Sequence, residues 1–303
     1  MGATRTALKD LKADDPVRLG AAVAVRVRMR RVRKWASRAA RTKGRDEEAV
    51  HELRVSCRRA GAVLDAYRGC LAARPRKRAR RMLKRLRRAA GATRDLDVQA
   101  ALWTRIAAES PAVEPGCRFM LERGRRAHRD ARRVLRRVLR ETDEATIRSR
   151  SRALREGVRD REDDPRLGGY AVERVRALVQ PLIEWPSRGV QADAADLHAA
   201  RIAEKRAQYA LELFRGVLDG SSARALRRDL KALHDALGLY HDLACAGALV
   251  QRVMGGGDGP AAALEALVAE LEARACAADG VARAELDAFA HAWSPDSGGL
   301  RAA

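Results

Sequence analysis

The feature of this chain that most constrains its fold is an internal duplication. The two halves of the 303-residue sequence match at a constant shift of 147 residues. Nine of the nineteen residues from 80 to 98 are identical to their counterparts in the second half. An Ala- and Arg-rich composition produces chance identities, but it does not place His, Gly and Asp in one register. The chain therefore contains two copies of one structural unit.

The composition predicts that both copies are helical. Ala, Leu, Arg and Glu dominate the sequence, and alternating runs of β-branched residues are scarce. Breaks rich in Gly, Pro and Ser leave close to eight long helical segments. We predict an all-α fold of two related four-helix bundles. The first bundle covers residues 1–160, the second covers residues 167–293, and a tail follows over 294–303.

Helical periodicity separates an apolar face from a cationic face in each copy. One stripe in the first copy is apolar and is expected to face the bundle core: Leu53, Cys57, Ala60, Leu64, Tyr67 and Leu71. A different face carries a histidine followed by cations at i+3 and i+7: His51, Arg54 and Arg58, repeated as His198, Arg201 and Lys205. The following helix continues this pattern with Arg80, Lys84, Arg87 and Gly91, repeated as Arg227, Lys231, His234 and Gly238. We expect the two cationic faces to meet in a basic groove between the bundles.

The net charge of +22 indicates an anionic partner, and its distribution is uneven. Residues 1–150 carry a net +25, whereas residues 151–303 carry −3. The first half also has two Arg rows without a basic counterpart, namely Arg26, Arg30 and Arg33 on one helix and Arg125, Arg129, Arg132, Arg136 and Arg140 on another. These rows are either a second polyanion-binding surface or solvated helix faces. Like charges on one face repel, and only 4% of residues are aromatic, so the pattern favours a polyanion held through its phosphates rather than by base stacking.

The duplicated blocks resemble the CHAD domain (conserved histidine α-helical domain) family. The resemblance rests on the paired H-x-x-R-[VI]-x-x-[RK]-R blocks and on two Gly-x-x-x-Asp-Leu blocks, Gly91 to Leu96 and Gly238 to Leu243. It covers roughly residues 15–293. It implies two four-helix bundles related by pseudo-twofold symmetry, with a basic groove or pore that binds inorganic polyphosphate. It also implies association with polyphosphate granules.

The resemblance assigns the expected contacts residue by residue. The polyphosphate-binding positions that it implies are His51, Arg54, Arg58, Arg59, His198, Arg201, Lys205 and Arg206. Helical phase adds Arg80, Lys84, Arg227 and Lys231, and it places Arg59 and Arg206 on the opposite flank from the histidines. Asp95 and Asp242 recur in an otherwise basic register, so each is expected to form an ion pair that orients a neighbouring Arg or His. Gly91 and Gly238 either admit a close approach or mark helix ends.

The sequence predicts neither a catalytic residue nor a cofactor. It contains no recognisable nucleophile–base pair, acid pair or nucleotide loop. Arg54 and Arg201 occupy the i+3 positions at which a metal ligand would follow His51 and His198, so the histidines either contact phosphate or form structural hydrogen bonds. The competing hypotheses are a nucleic-acid-binding protein and an adaptor for an acidic protein or membrane. No basic amphipathic segment with an exposed apolar face favours a membrane.

The remaining expectations concern location and cysteine chemistry. The first residues have no apolar segment of signal-peptide type, so we expect a cytoplasmic protein associated with polyphosphate granules. Five widely spaced cysteines without a C-x-x-C pair predict reduced thiols in the core.

Overall fold

The computed structural model describes residues 7–158, 164–185, 192–294 and 300. Within those ranges the chain forms nine α-helices and no strand. The helices are α1 (Val17–Arg41), α2 (Glu47–Ala66), α3 (Ala73–Glu109), α4 (Glu114–Glu141), α5 (Glu144–Glu156), α6 (Leu167–Ile183), α7 (Ala194–Phe214), α8 (Gly220–Gly255) and α9 (Ala261–Ala292). The predicted all-α class is confirmed. Part of the predicted boundary between the halves and most of the tail, 294–303, lie outside the described residues.

Aspartate caps and a left-handed turn set several of the helix ends. Aspartates cap the N-termini of four helices by accepting hydrogen bonds from backbone N–H groups: Asp46, Asp143, Asp193 and Asp219. Lys43 and Gly44 follow α1 with φ values of 53° and 70°, a left-handed turn that the helix cannot continue through. The prediction of about eight helical segments is one short, because the cap at Asp143 separates α5 from α4 at a place where the sequence has neither Gly nor Pro.

The duplication extends to the helix boundaries. Helices α7, α8 and α9 begin 147 residues after α2, α3 and α4, at 194, 220 and 261 against 47, 73 and 114. Helices α3 and α8 also have nearly the same length, 37 and 36 residues. Within the described residues, α5 of the first half has no helical counterpart after α9.

The apolar core joins the two halves instead of staying within each of them. One cluster of buried residues comes from α1, α2, α5, α6 and α7, with the N-terminal parts of α3 and α8 and the C-terminal parts of α4 and α9. A second cluster comes from the C-terminal parts of α3 and α8 with the N-terminal parts of α4 and α9. The predicted stripe from Leu53 to Leu71 is buried, but Tyr67 stacks on Tyr170 and meets the edge of Phe214, both from the second half. Helix α2 therefore packs on α7 across the repeat.

The cysteines are all free, but only three of the five are core residues. Cys57, Cys70 and Cys117 are buried, whereas Cys245 and Cys276 are exposed. The prediction of core thiols is wrong for these two, because their positions on α8 and α9 face away from both apolar clusters. Among the helices that the structure describes, none is long and apolar enough to cross a bilayer.

Candidate functional site

The packing of α2 on α7 brings cations of the two halves together. Arg58 of α2 lowers the pKa of Arg201 and of Lys205, both on α7, and Arg54 also lowers the pKa of Lys205. Such an effect requires the charges to lie close together in a partly desolvated place. We call the four residues Arg54, Arg58, Arg201 and Lys205 the central basic cluster. All four are half-buried.

Two carboxylates border the central basic cluster, one from each copy of the Gly-x-x-x-Asp-Leu block. Arg54 Nη1 donates a 2.5 Å hydrogen bond to Asp95 Oδ1 of α3. In the second copy, Arg201 Nη2 lies 3.7 Å from Asp242 Oδ1 of α8. Burial raises the pKa of Asp242, and Arg201 and Lys205 oppose that rise. Each aspartate thus lies beside the arginine of the paired block, the position from which it can orient that side chain.

Lys205 is a partly buried cation with other cations beside it. Burial, and then the charges of Arg201, Arg58 and Arg54, together lower its pKa from 10.5 to about 7. Glu204 acts in the opposite direction, but the sum of the other effects is larger. In the absence of an anion, an ammonium that is almost always charged in water loses its proton here near neutral pH.

Histidines of both copies lie at the edge of the cluster. Partial burial, followed by the charge of Arg94, lowers the pKa of His51 on α2. His241 of α8 stacks on His198 of α7 with ring centroids 5.7 Å apart. Burial, then Arg201 and Lys205, lower the pKa of His241 to about 4. At neutral pH the free protein therefore presents His51 and His241 as neutral rings beside arginines.

Gly91 lies beside Arg54 of the central basic cluster, at a distance where an added Cβ would make an ordinary van der Waals contact. It lies in the middle of α3, and a Cβ atom built on it would stand 3.8 Å from Nε and Cζ of Arg54. Gly238 is also in a helix interior, in α8, and a Cβ there would meet no atom within 4 Å. Neither glycine lies at a helix end, so the interpretation of these glycines as helix ends is wrong. Of the two, Gly91 has side-chain atoms within 4 Å of an added Cβ and Gly238 does not.

Several residues expected in the groove have partners elsewhere. Arg59 Nε donates to Glu212 Oε2 at 2.8 Å, and Arg28 lies 3.1 Å from the other oxygen of the same carboxylate. That pair of contacts joins α1 and α2 to α7, which gives Arg59 a structural role. Arg80 pairs with Asp65, and Lys231 pairs with Asp235 one turn along α8. The other expected contacts are exposed on their helices: Lys84, Arg206 and Arg227.

Sequence reasoning missed Glu204, a fully buried carboxylate on α7. His234 Nδ1 lies 3.0 Å from Glu204 Oε2, while Oε1 has no hydrogen-bond partner among the described residues. Glu204 raises the pKa of both Arg201 and Lys205. The internal repeat contains the sequence pattern that points to Glu204. This residue aligns with the buried Cys57 and interrupts a stripe that is otherwise apolar. His234 aligns with Arg87, so the second copy carries a different pair at these two positions.

The additional Arg rows of the first half do not reach the central basic cluster. Arg26, Arg30 and Arg33 line a depression on the outer face of α1. On α4, Arg125 and Arg129 are exposed and Arg132 is half-buried, with a buried Nε that has no hydrogen-bond partner among the described residues.

Comparison with known proteins agrees with this architecture. A family model of the CHAD domain matches residues 24–251. The chain belongs to the CHAD domain family. Its fold is similar to the crystal structure of the CHAD domain from the plant Ricinus communis, with a TM-score of 0.74 and 22% identity over 100% of this chain and 99% of that one. Among curated proteins, no sequence relative is found.

A second solved structure has a similar fold. The structure of PptA from Streptomyces chartreusis aligns with a TM-score of 0.65 and 19% identity, over 90% of this chain and 100% of that one. The CHAD family model spans the central basic cluster, both aspartates, the whole of α2, α3 and α7, and α8 up to residue 251.

Proposed function

We propose that this CHAD protein binds inorganic polyphosphate at the central basic cluster and does not transform it chemically. The observation that carries the proposal is the meeting of four cations from two halves, where Asp95 pairs with Arg54 and Asp242 pairs with Arg201. Burial, followed by the charges of Arg201, Arg58 and Arg54, lowers the pKa of Lys205 to about 7. A phosphate chain supplies several negative charges at once, which makes it a suitable ligand for such a place.

The surroundings of the cluster favour an anion without bases. Three of the four tryptophans are at most 6% exposed, so they cannot act as stacking platforms: Trp35, Trp103 and Trp185. Arginine forks and a lysine recognise phosphate oxygens irrespective of what the phosphates are attached to. The resemblance of the duplicated blocks associates this family with polyphosphate and its granules, and we extend that association to this chain.

The decisive experiment is a competition among polyanions. Labelled long-chain polyphosphate is bound to the protein and displaced with unlabelled polyphosphate, duplex DNA or RNA at equal phosphate concentration. We expect polyphosphate to displace the label at the lowest concentration. Equal displacement by DNA or RNA would instead identify a general nucleic-acid-binding protein.

Variants locate the binding in the cluster. Replacing Arg54 and Arg201 together with Ala removes one cation from each half, and we expect affinity for polyphosphate to fall at least tenfold with little change in the unfolding temperature. The matched control replaces Arg105 and Arg126, two exposed arginines on α3 and α4, and loses the same charge. An equal loss of affinity in both variants would show that net charge, and not the cluster, holds the ligand.

A further inference from the structure

A second cationic site lies on the outer face of α1. The depression there has a volume of about 770 Å³. Its lining consists of Ala7, Arg26, Val27, Arg30, Arg31, Arg33, Lys34, Ser37, Arg41 and Glu144. None of these residues belongs to the central basic cluster. Six of the ten lining residues carry a positive charge and one is acidic, so the depression is strongly cationic.

The one carboxylate in this lining is already shared among several donors. Glu144 of α5 pairs with Arg33 at 3.1 Å and with Arg148 at 3.0 Å, and Ser37 Oγ donates to its other oxygen at 3.3 Å. Arg30, Arg31 and Arg41 are exposed and have no acidic partner within the described part of the chain. The charges of Arg30, Arg31 and Arg41 are therefore left for an external anion.

The site is elongated. Arg26 and Arg41 are 15 residues apart on α1, which corresponds to about 22 Å along the helix axis at a rise of about 1.5 Å per residue. A second depression of about 510 Å³ lies near the same end of α1, where Ala40 borders it and the next residue, Arg41, borders the first. The second lining is completed by Lys43, Arg133, Arg136, Leu139 and Arg140. We call the two depressions together the α1 groove.

Most cations of the α1 groove are absent from the matching helix of the second half, α6, which begins 150 residues after α1. At that shift Arg30, Arg33 and Lys34 correspond to Gln180, Ile183 and Glu184, while Arg26 corresponds to Arg176. The duplication has therefore kept the central basic cluster in both copies and the α1 groove in one. This difference accounts for part of the charge excess of residues 1–150 and separates the groove from the architecture that the two halves share.

The chemistry of the lining selects a linear phosphate chain. It offers guanidinium and ammonium groups and a serine hydroxyl, while the neighbouring Trp35 is buried to 6% exposure beneath Lys34 and Arg38. No aromatic ring of the lining is available to stack a base.

We propose that the α1 groove is a second binding site for polyphosphate, so that one molecule holds two chains or two distant stretches of one chain. This inference rests on the proposed function, because it assigns the same ligand class to a second place. A protein with two such sites cross-links polyphosphate chains, whereas a protein with one site binds single chains without cross-linking them.

The test uses polyphosphate chains that are too short to contact the central basic cluster and the α1 groove at the same time. It counts how many such chains one protein molecule binds. Calorimetric titration of the full chain with short-chain polyphosphate is expected to give two equivalents bound per molecule. Replacing Arg30, Lys34 and Arg41 with Gln removes three positive charges from the α1 groove. This variant should bind one equivalent of short-chain polyphosphate. The double replacement of Arg54 and Arg201 should also leave one. The matched control replaces Arg105, Arg126 and Arg252, which are exposed on α3, α4 and α8, and should still bind two.

The outcomes distinguish the two proposals. Absence of binding to the unmodified protein would overturn the proposed function and this inference together. One equivalent that disappears only in the Arg54 and Arg201 variant would overturn the α1 groove and leave the central basic cluster standing. A groove variant that keeps both equivalents of polyphosphate but loses duplex DNA would also overturn the assignment. As a second readout, light scattering with long chains should show assemblies that the groove variant does not form.

Discussion

At the residue scale, the central basic cluster is a group of partly buried cations that repel one another. Arg58 lowers the pKa of Arg201, and Arg54, Arg58 and Arg201 lower the pKa of Lys205, while Asp95 and Asp242 pair with Arg54 and Arg201. Glu204 adds a buried negative charge beneath the same group. The free site is therefore electrostatically strained, and an anion relieves the strain by favouring the protonated form of each group.

Lys205 makes binding dependent on pH. Its pKa is about 7 in the free protein, and a bound polyanion raises it, so binding above pH 7 takes up a proton. We expect affinity for polyphosphate to fall as pH rises above 7, by at most about tenfold per pH unit for one proton. Titrations at pH 6, 7, 8 and 9 measure this slope. Lys205→Met should flatten it, and the control Lys77→Met, at an exposed position of α3, should not.

The same shift has the opposite sign for the stability of the free protein. Because the pKa of Lys205 is lower in the folded state than in the unfolded chain, the unfolded chain binds more protons between about pH 7 and pH 10. The contribution of Lys205 to the free energy of unfolding therefore increases as pH rises through that range. Urea denaturation of the protein and of Lys205→Met, compared at pH 7 and pH 9, isolates this contribution; an identical change in both proteins would contradict it.

Glu204 is expected to set the pH at which binding weakens. Its charge raises the pKa of Lys205, so Glu204→Gln should move the decline in affinity to lower pH while keeping its slope. The retained slope distinguishes this effect from that of Lys205→Met, which removes the slope. A far-ultraviolet circular dichroism melt checks that the variant, which leaves His234 without its carboxylate partner, is folded at the temperature of the titration.

At the element scale, the long helices α3 and α8 connect the two apolar clusters. Each contributes its N-terminal part to one cluster and its C-terminal part to the other. At a rise of about 1.5 Å per residue, helices of this length extend for roughly 55 Å. Gly91 and Gly238 lie near their centres, so the glycines of the duplicated blocks are found where the helices pass the central basic cluster. Gly116, in contrast, lies where α4 meets α9.

Two glycine substitutions should have opposite effects on stability. A Cβ at Gly116 would stand 2.6 Å from the backbone oxygen of Ala263, so Gly116→Ala should separate α4 from α9 and destabilise the protein by about 1–3 kcal/mol. Gly238→Ala meets no atom within 4 Å and removes a flexible residue from a helix interior, which should stabilise the protein by about 0.5–1 kcal/mol. Urea denaturation measures both; stabilisation by Gly116→Ala would refute the close contact.

At the scale of the whole molecule, the charge excess divides into two parts. One part is the central basic cluster, to which both halves contribute in spite of their different net charges. The other part belongs to the first half, where the α1 groove concentrates cations on a surface that the second half lacks. Long-range attraction of a polyanion depends on the sum of these charges, whereas the number of chains held depends on how they are divided.

The salt dependence of binding reports the number of phosphate contacts. We expect the affinity for long-chain polyphosphate to fall linearly in a plot of log K against log salt concentration, because binding releases counterions. Removing Arg54 and Arg201 should reduce the slope by about 0.7 per lost contact, the value known for single-stranded nucleic acids. An unchanged slope would mean that neither arginine contacts a phosphate. The Arg105 and Arg126 variant is expected to keep the original slope.

The sequence by itself determined the helical class, the duplication and which residues share a helix face. Periodicity and register are local properties, so they placed His51, Arg54 and Arg58 on one face and gave Arg201 and Lys205 the same role in the second copy. The tertiary structure alone decided which cations meet and which are paired elsewhere. Arg59 is held by Glu212 and Arg80 by Asp65, and Tyr67 joins the halves in one core. Those partners depend on how helices cross, and helix crossing is set by packing between segments far apart in the chain.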